Sequence, residues 1–219
     1  MKLLILLMII GIIISSRGLV KARNDFMNFN GYIFYIDAGH GGKDNGASNN
    51  DVLEDSINLN IASFLVEKLV DLGAYVYTSR DGDYDLASNY DKNRKNKDLK
   101  RRAELINSIK PDLFISVHLN TYKDESVSGG QVFYQDNEKS KLFAQILQNK
   151  FNELSKKNKK AKYGDYYLLN NSKFVGVLVE CGFLTNFEEL KKLSTRKYQQ
   201  EIATKIIEGI KEYYDSEMI

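Results

Sequence analysis

From residue 32 onward, short apolar runs of strand length alternate with longer stretches in which apolar side chains recur every three or four positions. The runs at 32–37, 74–79, 113–118, 131–134 and 175–180 are rich in Ile, Val, Phe and Tyr, which predicts buried strands. Between the first two, Leu53, Ile57, Ile61, Phe64, Leu65, Leu69 and Leu72 form one stripe at steps of three and four that stops at Gly73. That spacing predicts a helix ended by glycine. Further helices are predicted at about 99–109, 140–156, 187–193 and 198–214, the last with Ile202, Ile206, Ile207 and Ile210 on one face. Strand-helix alternation of this kind implies an α/β fold: a single domain with a mostly parallel twisted sheet of about five or six strands flanked by helices.

The N-terminus breaks that pattern. Lys2 is followed by twelve residues, 3–14, almost unbroken in Leu, Ile and Met, and then by Ser15-Ser16-Arg17. A basic start with a short apolar core predicts residues 1–22 to be a signal peptide or an N-terminal membrane anchor, with Val20-Lys21-Ala22 as the cleavage site. Residues 23–31 read as a linker and 32–219 as one globular domain. Membrane contact is expected only through the N-terminal segment, and the protein is expected to be exported.

Two further segments, 91–102 and 156–162, are dense in Lys, Arg and Asn. They read first as solvated loops and helix ends, and secondly as contacts for an anionic polymer. Arg102 differs, because it opens a stretch facing the sheet, and a structural ion pair is expected for it. Composition narrows the partners: 31 basic against 29 acidic residues give a net charge of +2, too small to imply nucleic-acid binding. One cysteine, Cys181, excludes an internal disulfide and reads as a packed small hydrophobe.

The chemistry concentrates in four residues. The chain has only two histidines, His40 and His118, and each closes an apolar strand run. Glu180 closes another, and Glu54 heads the amphipathic stretch. The C-terminal ends of strands in an open α/β sheet form the crevice where ligands bind, so His40, His118 and Glu180 are expected to converge there. Glu54 can join them from a helix N-terminus, where the dipole favours a carboxylate. A catalytic zinc site takes three protein ligands from His, Asp or Glu, and His40, Glu54 and His118 supply that count. A buried carboxylate costs several kcal/mol without a partner, so Glu180 should be paired, neutral or beside a metal.

Four ordered blocks carry a resemblance. Residues 36–47 (Ile-Asp-Ala-Gly-His-Gly-Gly-Lys-Asp-Asn-Gly-Ala), Glu54 before 57–62, Ser116-Val117-His118-Leu119-Asn120, and 179–186 (Val-Glu-Cys-Gly-Phe-Leu-Thr-Asn) are similar to the zinc-dependent N-acetylmuramoyl-L-alanine amidases of bacterial cell walls. The short single-domain form resembles the germination-specific amidases that act on spore cortex. The resemblance implies one zinc ion bound by His40, Glu54 and His118, Glu180 as general base and acid, and Asn120 as a substrate-binding or ligand-supporting residue. It also implies peptidoglycan glycan strands with stem peptides as substrate, an activating partner protein, and a place in the wall or between the spore membranes. Ala38 stands where the family commonly has proline, and Asp55 where lysine often follows the glutamate.

Other classes fit parts of this pattern. Two histidines and one carboxylate also describe iron oxygenases, which leaves Glu180 unexplained. A zinc exopeptidase acting on wall peptides, a non-catalytic peptidoglycan-binding module and a thiol hydrolase using Cys181 are the remaining alternatives. The tyrosine-rich stretch 163–167 and the basic segment 156–162 are candidate partner surfaces.

Overall fold

The computed structural model describes residues 28–217. The leader expected at 1–22 and most of the expected linker lie outside the described residues. In chain order the elements are β1 (Ile33–Ala38), the two-residue strands β2 (Ser48–Asn49) and β3 (Val52–Leu53), α1 (Glu54–Asp71), β4 (Tyr75–Thr78), α2 (Arg94–Ile109), β5 (Leu113–Asn120), β6 (Gln131–Tyr134), α3 (Glu138–Ser155), β7 (Lys162–Tyr163), α4 (Tyr167–Asn171), β8 (Gly176–Phe183), α5 (Phe187–Leu193) and α6 (Arg196–Glu217). Among the described residues, no helix is long and apolar enough to cross a membrane.

Six strands form one sheet in the order β4-β1-β5-β8-β6-β7. The pairs β4-β1, β1-β5 and β5-β8 are parallel, whereas β6 runs antiparallel to β8 and carries β7 parallel to itself. The expected five-or-six-stranded, mostly parallel sheet is therefore the observed one. The two-residue β2 and β3 pair with each other as a small antiparallel hairpin ahead of α1.

The twofold alternation of strand side chains sorts the core. Phe34, Ile36 and Ala38 of β1, Ile115 and Val117 of β5, and Val177, Val179 and Cys181 of β8 enter the larger apolar cluster with Ile61, Leu65 and Leu69 of α1 and Phe143 and Leu147 of α3. Helix α6 packs across α1 and α3 behind them. Fully burying a side chain such as Leu65 stabilises the fold by roughly 1.5–3 kcal/mol, and truncating it to Ala costs roughly 2–5 kcal/mol with the cavity it leaves.

On the opposite face Tyr35, Phe114 and Leu178 form a smaller cluster with Ile106 of α2 and Leu168 and Leu169 of α4. Two positions further along the same strands come Asp37, Ser116 and Glu180, and His118 follows two beyond Ser116. One sheet face thus changes from apolar packing to chemistry as the strands approach their C-terminal ends. Tertiary position, and not local composition, makes that division.

Some boundaries differ from the expected ones. Helix α2 starts at Arg94 rather than near 99, because the Asn93 side chain accepts from the Asn96 N–H and caps it. Its first turn is polar on every side, so no apolar period marked it. Strands β5 and β8 continue past His118 and Glu180 to Asn120 and Phe183, placing both residues inside strands and not at their ends. The polar segment 156–162 is partly structural: Asn152 accepts from the Lys159 N–H, and the Lys159 ammonium lies 4.7 Å from the Phe183 ring centre.

Candidate metal centre

Construction of the site begins at Gly39, where the chain leaves β1 while its N–H still donates to the Val117 carbonyl at 3.0 Å. A Cβ at Gly39 would lie 2.3–2.7 Å from His118 ring atoms, so a side chain there would displace the second histidine. His40 then turns the chain with φ at 62°. A left-handed conformation costs a non-glycine residue about 1–2 kcal/mol, which the surroundings must over-determine. Two buried arginines do so. Arg80 donates to the carbonyls of Ala38 (3.0 Å) and Gly39 (2.9 Å), and Arg102 donates to those of Ala38 (2.7 Å) and His40 (2.7 Å).

Glu54 is the first residue of α1 and only 3% exposed. Its backbone N–H donates to the Ala47 carbonyl, which bends the loop from His40 back onto the helix. Oε2 accepts from the Ala47 N–H at 2.8 Å. Oε1 accepts from the Leu119 N–H at 3.0 Å and from Asn58 Nδ2 at 3.3 Å. The same Oε1 lies 3.3 Å from His40 Nε2 and 3.1 Å from His118 Nδ1.

The donor atoms of His40, Glu54 and His118 all lie within 4.8 Å of one another. Ligands about 2.0–2.1 Å from a tetrahedral ion are roughly 3.3–3.4 Å apart, so this donor set fits a small divalent cation. The rings of His40 and His118 meet edge to face, with centroids 5.0 Å apart at 81°. His40 Nδ1 is turned to Asp44 Oδ2 at 3.0 Å, which leaves Nε2 for the shared centre. Such an outer carboxylate fixes the tautomer and the orientation of a ligating histidine. Burial works to raise the Glu54 carboxyl, but the hydrogen bonds and charges of His118 and His40 outweigh it and hold the group well below the usual carboxylate range.

Glu180 reaches the same face from β8, where it is the register partner of His118 on β5. It is 8% exposed, and among the described residues its Oε2 has no hydrogen-bond partner. Burial raises its carboxyl to about 7, the Glu54 charge adds to the rise, and His118 and His40 oppose it. The residues face a cleft of about 330 Å³ whose lining includes Lys95 and Leu99 of α2 and Tyr166 beside α4. This arrangement can hold a divalent ion on three side chains with an ionisable carboxyl across the opening, the requirements of metal-assisted hydrolysis.

All four residues expected from the sequence are therefore together in space. Asn120 also lines the cleft, with its Oδ1 turned back to accept from the Thr121 N–H at 2.7 Å. Arg102 forms the expected structural ion pair, to Asp37 at 2.6 Å and to Asp98 at 2.8 Å. Cys181 points into the core face with its thiol raised well above its ordinary value by burial, which leaves no exposed thiolate for a thiol hydrolase. From the tyrosine-rich stretch, Tyr166 and Tyr167 line the cleft. Sequence reasoning missed Asp44, Asn58 and Arg80. Asp44 lies four residues beyond His40 and Asn58 four beyond Glu54, and Arg80 directly follows a predicted strand run.

Comparison with known proteins bears on this site. The family model described as N-acetylmuramoyl-L-alanine amidase matches residues 34–212. The germination-specific N-acetylmuramoyl-L-alanine amidase of Bacillus subtilis is 37% identical, over 84% of this chain and 80% of the relative. A solved structure of the CwlD amidase from Clostridioides difficile, in complex with the GerS lipoprotein, is 34% identical and superposes with a TM-score of 0.82, over 84% of this chain and 99% of that one. An N-acetylmuramoyl-L-alanine amidase from Clostridium difficile 630 is 31% identical with a TM-score of 0.76, over 85% of this chain and 98% of that one. The fold and the matched length agree, and the chain belongs to the N-acetylmuramoyl-L-alanine amidase family of peptidoglycan hydrolases.

Proposed function

We propose that the protein is a zinc-dependent amidase that separates stem peptides from the glycan of spore-cortex peptidoglycan, with His40, Glu54 and His118 as zinc ligands and Glu180 as general base and acid. The observation that carries this reading is the focus of two histidine nitrogens on one carboxylate oxygen, at 3.3 and 3.1 Å, with the unpartnered Oε2 of Glu180 on the neighbouring strand. A bound zinc ion supplies polarisation of the scissile carbonyl and acidification of a water.

The side chains do the rest. Asp44 holds the His40 ring by Nδ1, and the Leu119 and Ala47 N–H groups fix the Glu54 carboxylate, so the ligands need little reorganisation on loading. Glu180, beside His118 on the neighbouring strand, takes a proton from the attacking water. It then returns a proton to the departing alanine nitrogen, leaving the lactyl carboxylate on muramic acid and a free amine on the peptide. Asn120, on the cleft wall, orients the substrate.

The cortex assignment is supported by the germination-specific relative in Bacillus subtilis and the CwlD structure. An activating partner protein is part of the proposal, since the CwlD neighbour was solved with a lipoprotein bound. Peptidoglycan lies outside the cytoplasmic membrane, so the basic-apolar start of the chain is proposed to export residues 32–219, as a signal peptide or anchor. Purified cortex fragments incubated with zinc-loaded protein should yield free stem peptides with an N-terminal alanine amine by mass spectrometry. Glycan-linked peptides alone, with zinc present and absent, would refute the activity.

A further inference from the structure

Arg80 is 2% exposed, and its four hydrogen bonds all go to backbone carbonyls. Nε donates to Ala38 at 3.0 Å, Nη1 to Gly82 at 3.0 Å, and Nη2 to both Gly39 at 2.9 Å and Asp55 at 2.7 Å. Ala38 and Gly39 lead directly into His40, and Asp55 directly follows Glu54. One planar group therefore ties the turn carrying the first histidine to the helix turn carrying the carboxylate. The packing along its stem is equally close, because a Cβ at Gly41 would meet Arg80 Cδ at 2.9 Å.

Arg102 does not duplicate this link, and Asn58 does so only through two longer contacts. Arg102 binds the Ala38 and His40 carbonyls but is otherwise engaged by Asp37, Asp98 and Ser79, with no hydrogen bond to α1. Asn58 spans the same two segments through Gly39 and Glu54, with both contacts at 3.3 Å. Attraction for the ion gives no reason to place a cation here, since a positive charge near a divalent-ion site weakens binding. Geometry does: a guanidinium presents rigid in-plane donors that a single ammonium cannot reproduce.

We propose that Arg80 is a positioning residue that sets the separation of His40 and Glu54 and thereby the affinity of the site for its divalent ion. The inference rests on the zinc-ligand reading above. The test uses the full chain and measures zinc affinity by competition with a chromophoric chelator, alongside thermal melting of the metal-free protein and the visible spectrum of the cobalt-substituted protein. Arg80→Lys should melt close to wild type without metal, bind zinc at least about tenfold more weakly, and shift the cobalt bands. Arg80→Ala should lose affinity further and regain part of it in low millimolar guanidinium. Unchanged zinc affinity in both variants overturns the proposal. So does a loss of metal-free melting with an unaltered cobalt spectrum and no guanidinium rescue, which marks a purely structural role. If wild type holds no zinc, or His118→Ala holds as much as wild type, the ligand reading itself fails.

Discussion

His118 and Glu180 are register partners on the adjacent parallel strands β5 and β8, so the hydrogen-bond ladder sets the spacing between the imidazole and the carboxyl beside it. Neighbouring strands lie about 4.8 Å apart, which brings the two side chains side by side on one sheet face. A loop-borne acid would drift relative to the histidine; this one cannot without breaking the sheet. The close partnership yields two separable predictions for Glu180.

Replacing Glu180 by Gln keeps the shape of the side chain and removes proton transfer. General acid-base catalysis contributes about 10²- to 10⁴-fold, so kcat on a muropeptide substrate should fall by about that factor. Zinc content, measured by atomic absorption, should stay near one per chain. A variant with wild-type turnover would remove Glu180 from the mechanism.

In the metal-free protein the same substitution has a pH signature. Burial raises the Glu180 carboxyl from its ordinary 4.5 to about 7, so between those values the folded chain holds a proton that the unfolded chain has released. Its contribution to stability is thus complete below about pH 4.5 and is lost as pH rises through 7, on the order of 3 kcal/mol. Urea titrations of metal-free wild type and Glu180→Gln should agree near pH 4 and favour the variant near pH 8. Parallel curves across that range would contradict the raised value.

Asp44 holds His40 Nδ1 at 3.0 Å. Loss of such an outer partner typically costs about 10- to 100-fold in metal affinity. Asp44→Ala should show that loss by chelator competition while the metal-free protein melts within a few degrees of wild type, because Asp44 lies at the exposed rim.

Gly39→Ala tests the close approach of β1 to the His118 ring. The added Cβ would sit 2.3–2.7 Å from His118 ring atoms and push the imidazole off the shared centre. Zinc stoichiometry should drop well below one per chain, as read by metal analysis after gel filtration. A fully loaded variant would show that the ring relocates at no cost.

Arg102 is 1% exposed and satisfies Asp37, which is equally buried. The burial of Asp37 works to raise its carboxyl, but Arg102 and the Ser116 hydroxyl hold it below its ordinary value. Removing one partner of a buried pair leaves an uncompensated charge and costs roughly 3–5 kcal/mol. Arg102→Met should lower the denaturant midpoint accordingly, and a smaller loss for Arg102→Met with Asp37→Asn would confirm that the stranded carboxylate is the cause.

Much of this was legible in the chain. The stripe from Leu53 to Leu72 reads as a helix because Ile57, Ile61, Phe64, Leu65 and Leu69 enter one core cluster with the sheet, and α1 spans Glu54–Asp71, leaving Leu53 in β3 and Leu72 past its end. The continuous runs at 113–118 and 175–180 read as central strands because both faces of a covered sheet are dry. His40, Glu54, His118 and Glu180 stood out because each is a lone chemically active group at the margin of an apolar element. Asn93, by contrast, begins a helix whose first turn has no apolar period, so local propensity and capping decide it without a pattern to betray them.

The sequence by itself determined the alternation of strands and helices and the four reactive groups, because these follow from backbone periodicity and from the cost of burying charge. Only the tertiary structure decided that Oε1 of Glu54 is the point where two histidines meet, that Glu180 keeps an oxygen unpartnered, and that Arg80 and Arg102 clamp the left-handed turn at His40. The clamp depends on carbonyls that every residue carries alike, and the meeting of Glu54 with the histidines on contacts far apart in sequence. Their partners are chosen by how distant segments pack, which no local pattern along the chain encodes.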